Sequence, residues 1–191
     1  MNISSNKKIL FFLSVAFIFI LSACKTNVKI QQKSTDDGKI QQDTAQKSLD
    51  QKNFQKVPAL TFKDYTGTDI SFQDMIGTPM VINSWATWCP FCKKELPEFA
   101  AVQKEFGDKV IFIAVNRRES LKKSKQYTDT QGTSDEIIFV LDPDDSFYKT
   151  IGGISMPETI FVDSQGNITE HKRGPLDEEQ TRIRVQKLIN N

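Results

Sequence analysis

From Met80 the chain runs apolar through Val81 and Ile82 to Trp85. Cys89-Pro90-Phe91-Cys92 then opens a segment in which Leu96, Phe99 and Val102 recur at helical spacing as far as Gly107. An apolar run of that length reads as a buried strand, and the spacing that follows reads as a helix over Pro90 to Phe106 with one covered face, stopped by Gly107. Further strands and helices alternate after it, which argues for parallel βαβ units. Val110 to Val115 reads as the second buried strand. A polar helix from about Glu119 to Thr130, a third strand at Ile137 to Leu141 and a short helix around Ser146 to Ile151 follow.

Two hairpin signals flank these units. Leu60 to Asp64 and Asp69 to Phe72 enclose Tyr65-Thr66-Gly67-Thr68, and Glu158 to Asp163 and Ile168 to Arg173 enclose Ser164-Gln165-Gly166-Asn167. Asp177 to Ile189 opens with acids in its first turn and carries Ile183, Val185, Leu188 and Ile189, a closing helix. The predicted fold class is α/β, a mixed central sheet with helices on both faces.

The beginning of the chain has a different character. Lys7 and Lys8 precede an apolar run from Ile9 to Leu21 that ends in Leu21-Ser22-Ala23-Cys24, the layout of a signal peptide over residues 1–23. The run is shorter than the roughly 20 residues of a bilayer-spanning helix. Cys24 directly after Leu-Ser-Ala resembles the bacterial lipobox, which implies lipid attachment at Cys24 and an extracytoplasmic address; without acylation the same segment implies a soluble secreted protein. Residues 25–56 hold 7 Lys and 4 Asp among Gln, Ser and Thr, with too little apolar surface to fold. They are expected to form a flexible tether spanning about 30 Å. The folded domain is placed at 57–191. With residues 1–23 removed, 23 basic residues face 24 acidic ones, a balance that implies no attraction to nucleic acid.

Apart from Cys24, the cysteines are Cys89 and Cys92, and they fall where a strand meets a helix. Unpaired amides and the helix dipole favour an anion there, so Cys89 can lose its proton near neutral pH and act as nucleophile. Cys92, one turn on, can attack a mixed disulfide and release the product. A lone CxxC can instead be half of a zinc site, but zinc takes four ligands and the chain offers, Cys24 aside, only His171 besides the pair, so no metal is expected. A purely structural disulfide closing so short a loop would stabilise little.

Val81-Ile82-Asn83-Ser84-Trp85-Ala86-Thr87-Trp88-Cys89-Pro90-Phe91-Cys92-Lys93-Lys94-Glu95 resembles the active-site segment of membrane-anchored thioredoxin-like proteins of the TlpA, ResA and CcmG (DsbE) type. The resemblance continues at Pro97 inside the helix and at Met156-Pro157-Glu158-Thr159, and covers 57–191. It implies a thioredoxin-like fold without cofactor and a thiol-disulfide oxidoreductase that reduces disulfides of client proteins, such as those of cytochrome c maturation. A membrane electron donor of the CcdA or DsbD kind would re-reduce it. It further implies a cis Pro157 facing the Cys pair, Met156 as a client-binding residue and Glu95 as a proton partner of Cys92. Asn83 stands where cytosolic thioredoxins carry a buried aspartate, which moves the proton-relay question onto Glu95.

Alternatives stay open on the residues alone. The pair could run in reverse as a disulfide donor. A thiol peroxidase would want Thr or Ser at Ala86, and a copper metallochaperone a CxxxC spacing. Glu158 fits either the Pro-Glu-Thr pattern of the CcmG type or a plain edge position. His171 is expected to face solvent, and Lys122, Lys123 and Lys125 to form a solvated helix face.

Overall fold

The computed structural model describes residues 56–190; the expectations for residues 1–55, Cys24 among them, lie outside the described residues. Along the chain follow β1 (Thr61–Asp64), β2 (Asp69–Ser71), β3 (Met80–Trp85), α1 (Pro90–Phe106), β4 (Ile111–Arg117) and α2 (Leu121–Gln131). Then come β5 (Ile138–Asp142), α3 (Ser146–Thr150), β6 (Glu158–Val162), β7 (Ile168–Arg173) and α4 (Glu178–Ile189). The strands make one sheet in the order β2-β1-β5-β4-β3-β6-β7. β3, β4 and β5 are parallel, whereas β6 runs antiparallel to β3 and both outer hairpins are antiparallel.

β3 is buried along its whole length because both its faces are covered. On one side Val81 and Trp85 pack with Leu96, Phe99 and Val102 of α1 and with Val185 and Leu188 of α4. On the other, Met80 and Ile82 meet Phe62, Phe72 and the Phe147 and Ile151 of the α3 segment. The Phe99 and Phe112 rings, 5.5 Å apart, fasten α1 to β4. Ile183, read from the sequence as part of the closing helix's apolar set, is instead exposed. It lies two residues from Val185, about 200° around the helix, so the two cannot share a face.

This topology gathers three segments at one end of the sheet's inner strands. β3 and β4 are parallel, with Trp85 paired to Asn116, so the chain leaves both at the same end. β6 is antiparallel to β3, with Ser84 opposite Glu158, so it begins at that end. The Cys89 loop, the turn after β4 and the segment before β6 therefore meet, at the kind of strand-end crevice where open α/β sheets place their chemistry.

Candidate active site

Cys89 is the N-cap of α1, and Pro90 follows at the first helical position, where a missing N–H costs no helical hydrogen bond. Cys89 and Cys92 are joined as a disulfide with their Cα atoms 5.3 Å apart. The Cys92 N–H donates to Cys89 Sγ at 3.1 Å, a contact that would also solvate a thiolate there. Cys92 is wholly enclosed and Cys89 keeps only 3% of its surface. In the disulfide form the residue packs into the cluster of Trp85 and Leu96. The surface around it belongs to Trp88 and Phe91, both exposed.

Pro97 interrupts the hydrogen bonding of α1, since it has no N–H for the carbonyl of Lys93 four residues earlier. The Tyr127 hydroxyl of α2 donates to that carbonyl at 3.4 Å, and Lys93 Nζ lies 5.3 Å from the Tyr127 ring centroid. Glu95, one turn beyond Cys92, is buried. Its Oε1 accepts from the Leu176 amide at 2.8 Å and its Oε2 from Asn83 Nδ2 at 3.0 Å. The same Asn83 amide nitrogen donates to Thr159 Oγ1 at 2.9 Å, while Asn83 Oδ1 has no partner among the described residues. Burial pushes the Glu95 carboxyl up to about 8 against these two hydrogen bonds.

The Met156–Pro157 peptide bond is cis. Ser84 Oγ lies 4.0 Å from the Met156 sulfur, and the Pro157 carbonyl accepts from the Gly174 amide at 2.9 Å. Glu158 is fully buried, which overturns its reading as a plain edge residue. Its Oε1 accepts from the amides of Ile154 and Ser155, both at 2.7 Å, and from Ser155 Oγ at 3.1 Å. Its Oε2 lies 2.7 Å from His171 Nε2. His171 therefore does not simply face solvent: its side chain is 15% exposed, because β7 pairs with β6 and sets Glu158 within reach. Burial alone would raise the Glu158 carboxyl, but His171 and the two amides hold it below the usual range.

The redoxin family model matches residues 52–189. The chain belongs to the redoxin family. This redoxin is 30% identical over 126 residues to the thioredoxin-like protein YneN of Bacillus subtilis, covering 66% of the chain and 74% of that protein. It is 31% identical over 117 residues to the thiol:disulfide interchange protein DsbE of Allochromatium vinosum, covering 60% of the chain and 62% of that relative, less than two thirds of it. The solved structure of MTB DsbF in its mixed oxidized and reduced forms superposes with a TM-score of 0.64 at 27% identity, covering 69% of this chain and 98% of that one. The fold is thioredoxin-like, and the redoxin is an oxidoreductase of the thiol-disulfide type.

Sequence reasoning missed one residue of this redoxin's site. Glu119 was read as the start of the polar helix, whereas α2 is capped by Ser120, whose Oγ accepts from the Lys123 amide at 3.4 Å. Glu119 instead turns its carboxylate to the Cys89 loop, taking the Thr87 amide at 2.8 Å and the Thr87 hydroxyl at 2.7 Å. Lys123 Nζ lies 2.5 Å from Glu119 Oε1, while Lys122, Lys123 and Lys125 all remain exposed on the face of α2. The sole hint in the sequence is an acid just before a Ser N-cap, a pattern common to many helices. Among the described residues no group of three or more His, Cys, Asp and Glu could hold a metal ion.

Proposed function

We propose that this redoxin reduces disulfides of client proteins outside the cytoplasm through the Cys89 and Cys92 dithiol. The observation that carries this reading is the Cys89–Cys92 disulfide at the head of α1 with buried Glu95 one turn further on. In the reaction the Cys89 thiolate attacks one client sulfur and the other leaves as a thiolate. Cys92 then loses its proton and attacks Cys89 Sγ, which frees the second client sulfur and leaves Cys89–Cys92 as the disulfide. Two electrons pass to the client. A carboxyl near 8 is close to an ordinary thiol at about 8.5, so a proton moves between Glu95 and Cys92 at little cost. Met156 and cis Pro157 take an extended client segment by backbone pairing.

Clients are those of cytochrome c maturation, and a membrane donor of the CcdA or DsbD kind restores the dithiol. Residues 1–23 are the signal peptide, 24–56 the lipidated Cys24 and its tether, and 57–191 the catalytic domain. Cys92→Ser should accumulate mixed disulfides with clients through Cys89, and Cys89→Ser should not. Equal trapping by both variants would overturn the assignment of roles.

A further inference from the structure

The turn that delivers Cys89 is closed by its own N–H donating to the Ala86 carbonyl at 3.1 Å, and inside that turn lies Thr87, held at both its amide and its hydroxyl by Glu119. Glu119 is reached through Arg118, a non-glycine residue at φ 52, whose amide donates to the Asp142 carbonyl at 3.0 Å. A left-handed residue of that size is held there only by its surroundings. Asn116 Nδ2 donates to the same carboxylate at 2.9 Å, and only 5% of the Glu119 side chain remains exposed. Four donors, from Thr87 twice, Asn116 and Lys123, thus converge on one enclosed carboxylate.

We infer that Glu119 is a positioning residue for the redox centre: it fixes the Ala86–Cys89 turn and, with Lys123, sets how strongly the Cys89 thiolate is stabilised. Thr87 is two residues from Cys89, so their Cα atoms are at most about 7.6 Å apart. A charge so placed and shielded from water acts on the thiolate through a medium less polarisable than bulk solvent. Glu119 disfavours the thiolate and Lys123 partly cancels it. Lys93 and Lys94 lie on the exposed side of α1, whereas Glu95, one turn beyond Cys92 with Lys172 and Glu98 acting on it, keeps its proton near neutral pH and adds no charge there. A less stabilised thiolate makes the disulfide harder to reduce, so Glu119 biases the centre toward a reductant.

This inference rests on the role proposed for Cys89. Its test is the equilibrium in which the protein disulfide and two glutathiones exchange for the protein dithiol and one glutathione disulfide, read together with the pH dependence of Cys89 alkylation. Glu119→Gln removes the charge and keeps the shape. It should move the equilibrium toward the dithiol by about threefold or more and lower the pH at which Cys89 reacts. Lys123→Met should move both in the opposite direction, a contrast that a mere loosening of the turn would not produce. Both variants matching the wild type, or both moving the same way, would overturn the inference. Should Glu119→Gln fail to fold, Lys123→Met decides alone: no shift, or a shift toward the dithiol, refutes it. A wild-type protein that does not exchange with glutathione at all would instead refute the role of Cys89 itself.

Discussion

Two glutamates buried near the disulfide are driven in opposite directions, and the difference lies in what donates to them. Glu95 has two donors, Leu176 N–H and the Asn83 amide, and burial carries it up to about 8. Glu158 has three donors besides His171 and stays below the usual range despite burial. Glu95 holds its proton in the fold at pH values where the unfolded chain has lost it. Its contribution is therefore full below about pH 4.5 and lost as pH rises toward about 8, a change of roughly 4–5 kcal/mol. Glu95→Gln should remove that slope, so urea titrations at about pH 5 and about pH 9 should give the variant nearly equal stabilities where the wild type loses stability. The same variant should slow resolution of the mixed disulfide and flatten its pH dependence; an unchanged pH-rate profile would mean that Glu95 moves no proton. That Cys89, Cys92, Glu95 and Pro157 are the candidates was legible, because a short motif and its resemblance carry them. Glu119 and the Glu158–His171 pair were not, since their meaning lies in partners 32 and 13 residues away in sequence.

At the level of elements, α1 was readable with its observed bounds because local chemistry sets both ends: Pro90 at the first position and Gly107 after the last. The segment before β6 was not, because Ile154 and Ser155 are ordered by a carboxylate that belongs to β6 and is braced from β7 by His171. That segment leads directly into cis Pro157, so its order governs how a client strand would be received. Glu158→Ala should leave two amides without their acceptor, cost roughly 2 kcal/mol in denaturant stability and raise KM for a protein client more than it lowers kcat. Reduction of the disulfide by dithiothreitol should change little, since a small thiol needs no backbone pairing. The carboxyl is held low in the fold, so this contribution is present above about pH 4.5 and lost in more acidic solution. A variant with unchanged KM would remove the segment from client binding.

For the whole molecule, the sheet order brings the Cys89 loop, the Glu119 turn and the cis-proline segment to one end of the inner strands, and the proposed anchor would present that end to clients beyond the membrane. Cys24→Ser should release the protein from membranes into the soluble extracytoplasmic fraction; continued tight association would point to an uncleaved apolar segment instead. The direction of electron flow follows from how weakly the Cys89 thiolate is stabilised. Pro90 offers no N–H, Phe91 adds no positive charge, and the enclosed Glu119 carboxylate holds the turn that leads into Cys89. A centre so built should be hard to reduce and, once reduced, a good donor to protein disulfides. The most direct measurement is the reduction potential of the Cys89–Cys92 pair, titrated against glutathione or dithiothreitol. The account predicts a value near the about −270 mV of thioredoxin, and a value near the about −120 mV of DsbA would contradict it.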